Sequence, residues 1–543
     1  MLNRLFLYTF ARFLSLSNKT LQEMKKNGFI LLLALVTLIG TGCEKSSSSS
    51  ISTDTFTGDE ASDYVNNETW SNTINIVWDG TDVTVTGSAD SVTVSNSNGY
   101  VTVNSTVKNI EYAVSGEGTG QLSIYSSYKF KLSLNGLTLT CPDGPAINNQ
   151  SSKTCYAVLG GTNTLIDGST YTSSTEDRKA AFFSEGQICF SGSGMLNVTG
   201  NYKHAVASDD YIRVCSGTGE LYLTAKASDG LHANDGIIIN DGSLTINAVG
   251  EGIQCDTASV LITGGEIDVT STGDKGILAY GNVEISGGTI NIKSYSKCIK
   301  TSSNLIVSGG SITAICNGKS SSSNTPEGIE AKGTMTISGG YVYAQATDDA
   351  INSAGDLTIS GGYVMAYSTG NDGIDANGNM YIKGGVVYAI CAGGAEVALD
   401  ANTEGGKKLY VQGGTIVAIG GLENGASLSQ SCYSANASSN TWYALSGGSE
   451  DFVFKTPSSL STTTMVVSTG GTTSLKSGVS LSSGTAILNN YAYKDASISG
   501  GSSVTLSTYS GGNAGGGPGG GTQPGGGGNP GGGGNPGGGH GGW

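Results

Sequence analysis

The sequence carries little charge, and positive charge is the scarcer sign. Charged residues make up 13% of its 543 residues, and 27 Lys and Arg stand against 43 Asp and Glu, so the formal net charge is -16. This balance argues against nucleic acid as a partner, because a phosphate backbone attracts basic surfaces. It also predicts repulsion from acidic polysaccharides unless a cation mediates the contact.

Metal-binding and disulfide motifs are also missing. Beyond Cys43 the chain has cysteines at scattered spacings and in an odd number, which does not indicate a disulfide framework or a CxxC metal site. We expect most of them to fill small core positions, and Cys141 with Cys155 is the one pair worth testing for a bridge. His204 and His232 have no metal-spaced or Ser–His–Asp partner, which favours surface or corner roles.

Glycine is abundant, and much of it lies in a short repeat. Gly-Gly pairs begin at positions 264, 287, 309, 339, 361, 384 and 413. The spacing is 22 or 23 residues, apart from two longer steps that indicate loop insertions. Each unit holds three β-compatible runs with alternating apolar residues, separated by Gly, Asn, Asp or Ser. A period this short, with alternation inside the unit, is typical of a parallel β-helix.

One apolar position recurs in the third run of every unit. It is occupied by Ile253, Ile277, Ile299, Ile329, Ile351, Ile374 and Leu399. Stacked coils would bring these side chains about 4.8 Å apart and build a core that no single unit can bury alone. We therefore predict an all-β fold, a parallel β-helix with an N-terminal β cap and a small C-terminal β region.

The ends of the chain predict a five-part organisation. Residues 1–43 read as a lipoprotein signal with its lipobox, and residues 1–23 as a start-site artefact, since Met24 looks like the natural start. Residues 44–69 would form a flexible tether, 70–421 the β-helix, 422–510 a C-terminal β cap, and 511–543 a disordered Gly-rich tail. Lipidation at Cys43 would anchor the protein at the bacterial outer membrane or cell surface; a cleaved signal without lipid is the alternative.

Several segments of the chain strongly resemble a bacterial carbohydrate-binding β-helix family. They are KLSLNGLTLTCPDGPAIN, GTNTLIDGSTY, KAAFFSEGQICFSGSGMLNVTGNYKHAVASDD and the later DGI-type units. That family was first described as a domain of unknown function, and its fold looks like that of pectate lyases. The resemblance covers roughly residues 70–421. It implies a right-handed parallel β-helix with structural calcium that binds plant-type polysaccharides, such as cellulose or acidic galacturonan, without established catalysis.

Two outward positions beside the recurring isoleucine are rich in acids. The denser group comprises Glu327, Glu330, Asp349, Asp372, Asp375 and Asp400, and a second group comprises Asp229, Glu251, Asp256 and Asp274. Carboxylates stacked at strand spacing repel each other unless a cation neutralises them, and calcium binds several oxygens at once. Calcium sites are one interpretation of these groups, and a solvated polar ladder is the other.

A lysine between the two acidic groups raises an enzymatic alternative. A galacturonan lyase needs a calcium-bound uronate and a nearby base with a lowered pKa. Lys275, next to Glu251 and Asp274, is the one arrangement that resembles such a site. Adjacent carboxylates would raise its pKa, however, which is the wrong direction for a base. Neutralisation of the carboxylate ladder is the structural alternative for this lysine.

Tyrosines follow the Gly-Gly corners on neighbouring coils. The alternation points Tyr341, Tyr343, Tyr363, Tyr367 and Tyr388 outward, where tyrosine rings could stack against sugar rings. The alternative is an external ladder that stabilises the coils through cross-strand pairs.

The leading functional hypothesis is a monomeric, non-catalytic surface lipoprotein that binds polysaccharide with the help of calcium. A calcium-dependent polysaccharide lyase and a structural adhesin are the alternatives, since a β-helix alone permits all three.

Overall fold

The computed structural model describes residues 61–321, 323–394 and 396–511. The predicted signal segment, Cys43, residues 44–60 of the tether and residues 512–543 of the Gly-rich tail lie outside these ranges. Within the described ranges, no helix is both long and apolar enough to cross a membrane.

The described chain is almost entirely β-structure. Two short 3-10 helices, Ala61–Asp63 and Val65–Asn67, precede the strands. A parallel β-solenoid of about 12 turns then extends over residues 100–401, and an antiparallel region follows it. The predicted fold class is therefore confirmed.

Each coil contributes one strand to each of three walls, here named faces 1, 2 and 3. Face 1 is a sheet of 14 strands, and it contains the isoleucine of each unit. Its strands are Val92–Ser97, Tyr100–Ser105, Gln121–Ser126, Ile147–Asn149, Ala180–Ser184, His204–Ser208, Leu231–Ala233, Ile253–Cys255, Ile277–Ala279, Ile299–Thr301, Ile329–Ala331, Ile351–Ser353, Ile374–Ala376 and Leu399–Ala401.

Faces 2 and 3 flank the Gly-Gly corner of each coil. Face 2 consists of Cys155–Gly160, Ile188–Ser191, Tyr211–Val214, Gly236–Ile239, Val260–Ile262, Val283–Ile285, Leu305–Val307, Met335–Ile337, Leu357–Ile359, Met380–Ile382, Leu409–Val411 and Ser427–Leu428. Face 3 consists of Thr162–Ile166, Met195–Gly200, Glu220–Ala225, Ser243–Ala248, Glu266–Ser271, Thr289–Ser294, Ser311–Cys316, Tyr341–Ala346, Tyr363–Ser368, Val386–Ile390 and Thr415–Ile419. Four N-terminal strands join the two faces into one sheet: Asn72–Gly80, Asp82–Thr86, Ile110–Thr119 and Phe130–Thr140.

The core consists of in-register apolar ladders, as the sequence predicts. Ile351 pairs with Ile374, which pairs with Leu399, and all three are fully buried. The corner glycines are required for two different reasons. A Cβ on Gly361 would lie 2.3 Å from the backbone oxygen of Ser338, and Gly362 has a φ of +77°, which L side chains rarely adopt.

The cysteines contribute to packing. In the described part of the chain, all nine cysteines are buried and unbridged. The proposed bridge between Cys141 and Cys155 is therefore not formed. Most of the nine occupy small interior positions, as expected from their scattered spacing.

The antiparallel C-terminal region covers the outer surface of the last coils of face 3. Cys432–Asn436, Thr464–Ser468 and Ser507–Tyr509 extend the sheet, and Trp442–Ser446, Phe452–Lys455, Ser474–Ile487 and Ala492–Ser503 form a closed barrel. Outward side chains of face 3, including Tyr343, Met365 and Tyr388, pack against Phe452 and Phe454 of this barrel in a second hydrophobic cluster. The face-3 strands of the last coils are therefore buried on both sides.

Substitution of Tyr388 tests the packing of face 3 against the C-terminal barrel. Tyr388 is fully buried, its ring lies 5.1 Å from that of Phe454, and its hydroxyl donates to the Lys455 carbonyl at 3.1 Å. Truncation of a buried aromatic residue removes about 3–5 kcal/mol. We expect Tyr388→Ala to lower the calorimetric Tm and to accelerate hydrogen exchange in the C-terminal strands. Tyr222→Ala, at an exposed face-3 position, is the control and should change stability by less than about 0.5 kcal/mol. Equal effects of the two substitutions would contradict the described packing.

Candidate functional site

The outward side chains at the middle of the face-1 strands form one continuous row. Cross-strand pairing aligns His232, Gln254, Leu278, Lys300, Glu330, Asn352, Asp375 and Asp400 in this row. Each side chain therefore faces the next one a single strand spacing away, about 4.8 Å. The sequence predicts this same ladder, and the structure shows which of its charges have a partner of opposite sign.

Lysines neutralise the first two acids of the denser group. Lys297 Nζ lies 3.2 Å from Glu327 and 3.7 Å from Glu330, while Lys300 lies 3.4 Å from Glu330 and Lys332 also pairs with it. Burial opposes ionisation of Glu330, but the three lysines hold its pKa below the usual value. Glu327 and Glu330 therefore both have lysine partners, although burial and the neighbouring Glu330 still raise the pKa of Glu327 to about 7.

The acids of the following face-1 coils have no such lysine partner. In the described ranges, no lysine, arginine or histidine forms an ion pair with Asp349, Asp372, Asp375 or Asp400. Burial, together with the neighbouring carboxylates, raises the pKa of Asp349 to about 8, that of Asp372 to about 7 and that of Asp375 to about 6. Carboxyls without a cationic partner are therefore concentrated on the outer surface of the last face-1 coils, and several of them hold a proton near neutral pH when no external cation is bound.

Several of these carboxyls contact one another directly. Asp400 shares a hydrogen bond with Glu423 and another with Asp375, and Asp372 shares one with Glu396. A hydrogen bond between two carboxyls needs a proton on one of them, so burial and Glu423 raise the pKa of Asp400. Glu396 and Glu423 were not among the predicted site residues, because Glu396 lies three residues before Leu399, outside the two outward positions considered, and Glu423 lies beyond the repeat.

The fit of calcium to this cluster depends on how many oxygens converge. Calcium binds six to eight oxygens at about 2.3–2.6 Å. Among the described residues, the acids of this cluster do not bring three carboxylate oxygens within 4.8 Å of one another. They supply ligands in pairs, so an ion held by one pair would take its remaining oxygens from backbone, water or a bound ligand. The donor chemistry fits calcium, but the carboxylates alone do not complete its shell.

The ladder aspartates also have a structural role that the sequence analysis missed. Oδ1 of Asp349 accepts the backbone N–H of Asp372 at 3.1 Å, and Oδ1 of Asp372 accepts that of Val397 at 2.7 Å. Asp229 accepts the N–H of Glu251 at 3.0 Å in the same way. Each aspartate ties its coil to the next with one oxygen, and its recurrence two residues before Ile or Leu is the available sequence signal.

Histidines compensate part of the second acidic group. Asp229 Oδ2 lies 3.0 Å from Nδ1 of both His204 and His232, and Asp256 lies 3.4 Å from Nε2 of His232. Burial opposes the shift, but the histidines lower the pKa of Asp229. The expectation that His204 and His232 lack such partners is wrong, because the coil between them brings distant residues together.

Lys275 compensates the rest of that group. Its Nζ lies 3.1 Å from Glu251 and 2.6 Å from Asp274. Burial opposes protonation, but the two carboxylates raise the pKa of Lys275. A general base needs the opposite shift, so the geometry favours neutralisation of the ladder over catalysis.

The tyrosine row does not form the flat platform that the sequence suggests. Tyr343 and Tyr388 are buried under the C-terminal barrel, while Tyr341, Tyr363 and Tyr367 are partly exposed. The rings of Tyr341 and Tyr363 stack at 5.2 Å with 18° between their planes. Rings stacked along the solenoid axis present faces to each other, whereas a sugar platform needs faces turned to solvent.

Tyr363 borders a cleft between the corners of face 3 and the C-terminal region. Lys494 Nζ lies 5.2 Å from the centroid of the Tyr363 ring, and the Tyr363 hydroxyl donates a hydrogen bond to Glu450. The cleft has a volume of about 620 Å³ and is lined by Gly-Gly corners, Thr415 and Gln430. Half of its lining residues come from beyond the repeat, so the repeat pattern does not predict the cleft.

The raised pKa values predict an unusual dependence of stability on pH. The folded state binds more protons than an unfolded chain, in which Asp has a pKa of about 3.9, so stability falls as pH rises from about 4 to about 8. We expect calcium-free protein to have a lower Tm at about pH 8 than at about pH 5. The double variant Asp375→Asn/Asp400→Asn should lose less stability over the same range. A Tm that rises with pH equally in both proteins would contradict the described electrostatics.

One of three comparisons with known proteins places the chain in a family. Residues 97–373, just over half of the chain, match the family model described as carbohydrate-binding domain-containing protein. No curated protein matches. A solved structure, the polysaccharide lyase-like protein from C. thermocellum in a gadolinium derivative, is similar over 49% of this chain and 96% of that chain, with 21% identity and a TM-score of 0.36. The family match covers the solenoid as far as residue 373, which includes Glu327, Glu330, Asp349 and Asp372 but not Asp375 or Asp400, and the chain therefore belongs to the carbohydrate-binding domain-containing family.

Proposed function

We propose that this protein is a non-catalytic binding protein for an acidic, uronate-bearing polysaccharide, and that it holds the polymer through calcium on the last coils of face 1. The supporting observation is the set of paired carboxyls, Asp372 with Glu396 and Asp375 with Asp400, that lack a cation from the described part of the chain. The family supports a polysaccharide as the partner.

The pairing of these acids suggests a role for the polymer itself. One carboxyl pair supplies too few oxygens for calcium, and a uronate carboxylate with its neighbouring hydroxyls could supply others. The formal charge of -16 would repel a polyuronate in the absence of the ion. Calcium would therefore act as a bridge, attracted by the protein and the polymer together.

The geometry of the face-1 row suits an extended polymer. Its outward positions repeat at strand spacing, about 4.8 Å, so an elongated ligand can meet similar groups on successive coils. Asp372 and Asp375 belong to one coil and Asp400 to the next, so more than one ion could bind along the axis. Several weak contacts along one chain give avidity without any single strong site.

Two alternatives are less well supported. A lyase would use Lys275, whose pKa is raised by Glu251 and Asp274 and which is therefore a poor base at neutral pH. A tyrosine platform is not favoured either, since Tyr343 and Tyr388 are buried. The cleft beside Tyr363 remains an alternative site for a neutral glycan, because it presents hydroxyl, amide and backbone groups.

The experiment compares retention of the full chain on immobilised polygalacturonate and on cellulose, with calcium or with a chelator. We expect calcium-dependent retention on polygalacturonate. Asp375→Asn/Asp400→Asn should weaken it by at least about 10-fold, since loss of groups supporting a metal typically costs that much affinity. Glu266→Gln is the matched control, because Glu266 is an exposed acid on face 3 and should not affect retention.

Each other outcome points to a different function or site. Retention that survives both the chelator and the double variant would overturn the calcium bridge, and its loss on Gln430→Ala would move the site to the cleft. Unsaturated products absorbing in the ultraviolet, abolished by Lys275→Ala, would establish a lyase. Capture of a protein ligand without any glycan would favour an adhesin.

We further propose that lipid at Cys43 anchors the protein at the bacterial cell surface. The support is the apolar run at residues 29–40, preceded by Lys25 and Lys26 and followed by Thr41-Gly42-Cys43. We expect labelled fatty acid to be incorporated into the wild type, which should fractionate with membranes. Cys43→Ser should abolish labelling and release the protein into the soluble fraction. Membrane association unchanged in Cys43→Ser would contradict the proposal.

A further inference from the structure

Two histidines and an aspartate converge in the wall of the solenoid, several coils before the uncompensated acids. His204 begins the strand His204–Ser208, Asp229 lies in the turn directly before the next face-1 strand, Leu231–Ala233, and His232 belongs to that strand. Their exposures are 2%, 2% and 6%. In the described ranges, this is the one group of His, Cys, Asp and Glu whose candidate ligand atoms all lie within 4.8 Å of one another.

The contacts of His204 place two candidate metal donors side by side. Its Nδ1 lies 3.0 Å from the carboxylate oxygen Oδ2 of Asp229 and 3.3 Å from the backbone nitrogen of the same residue. A hydrogen bond to the carboxylate needs a proton on this Nδ1, and a metal ion bound between the two atoms would replace that proton. Nε2 of His204 is buried and has no hydrogen-bond partner within the described structure, so this side of the ring does not orient it.

The surroundings resemble the outer layer of a metal site. Asp229 Oδ1 is held by the N–H of Glu251 at 3.0 Å, which leaves Oδ2 directed at the two imidazoles. Nε2 of His232 lies 3.4 Å from Asp256, and Gln254 donates to the other oxygen of Asp256 at 2.7 Å. Histidine ligands of metals are commonly oriented in this way by a carboxylate on the second ring nitrogen.

From this arrangement, we propose that Nδ1 of His204, Nδ1 of His232 and Oδ2 of Asp229 bind one zinc-class divalent ion. Two of the three donors are nitrogen, and calcium and magnesium prefer oxygen, whereas imidazole suits zinc, copper and nickel. Water would fill the fourth position. The side chain of Asp256 is 39% exposed, which gives the ion a route past His232.

Binding requires a small, specific rearrangement. Tetrahedral zinc with ligands at about 2.0–2.1 Å places neighbouring ligand atoms about 3.3 Å apart, so both 3.0 Å separations would widen slightly. The two imidazoles now stack at 4.1 Å with 24° between their planes, and they would splay so that both lone pairs meet the ion. Because the ligands come from two successive coils, the ion would fasten one coil to the next.

The test measures zinc and cobalt binding to the full chain after chelation and dialysis. We expect about one zinc ion per chain by elemental analysis, and visible absorption typical of tetrahedral cobalt on addition of Co²⁺. His204→Gln and His232→Gln should each abolish both signals. Asp256→Asn removes the carboxylate that orients His232. It should weaken zinc binding about 10- to 100-fold, measured in competition with a chromogenic chelator.

The third histidine of the sequence provides the matched control. His540 lies in the Gly-rich tail, and His540→Gln should bind zinc as the wild type does. Loss of binding in His540→Gln, or full binding in His232→Gln, would place the ion elsewhere and overturn the proposal. Wild type that takes up no zinc or cobalt would show that the three residues form a hydrogen-bonded cluster only, a result that does not depend on whether the variants fold.

Discussion

The structure depends on the in-register stacking of coils. Each strand pairs with the corresponding strand of the next coil, so every side chain faces a counterpart one strand spacing away, about 4.8 Å. Inside the solenoid this repetition is favourable, since Ile351, Ile374 and Leu399 form an apolar ladder without polar atoms. Outside, the same repetition sets like charges and like rings against each other, and each row needs its own way of relieving that conflict.

The outer rows show several ways of doing so. Lys297 is inserted next to Glu327 and Glu330, Lys275 lies between Glu251 and Asp274, and these acids are thereby neutralised within the protein. The tyrosines of face 3 stack on each other or pack under the C-terminal barrel. On the last coils of face 1 no such relief is found among the described residues, and carboxyls meet carboxyls. Since the fold compensates its other ladders, an uncompensated one is a reasonable place for an external cation and its ligand.

The inward half of the solenoid could be predicted from the sequence, because inward positions repeat the same residue types at a constant period. The outward half could be predicted only in part. Alternation shows that Tyr388 points away from the coil axis, but not that Phe452 and Phe454, more than sixty positions later, cover it. This contact joins the repeat to a region without a repeat, so the repeat period cannot predict it.

Charge compensation was hard to predict for a related reason. Asp400 falls on the ladder, but its partner Glu423 lies beyond the last regular coil and carries no repeat signature. His204 and Asp229 are far apart along the chain, and neither has the short spacing of a metal motif. Residues about one coil apart become neighbours in a solenoid, so motif rules based on short spacing do not find them.

The same position in two coils belongs to both of the proposed cation sites. Asp229 and Asp372 both lie two residues before an inward Leu or Ile, and both use Oδ1 to hold the backbone N–H of the next coil. Each therefore has one oxygen left in a fixed direction. For Asp229 the neighbours of that oxygen are two imidazoles, whereas the carboxyl of Asp372 meets that of Glu396. A nitrogen-rich set selects zinc-class ions and an all-oxygen set selects calcium. In both proposals the backbone determines where a cation binds, and one or two outward side chains determine which cation it is.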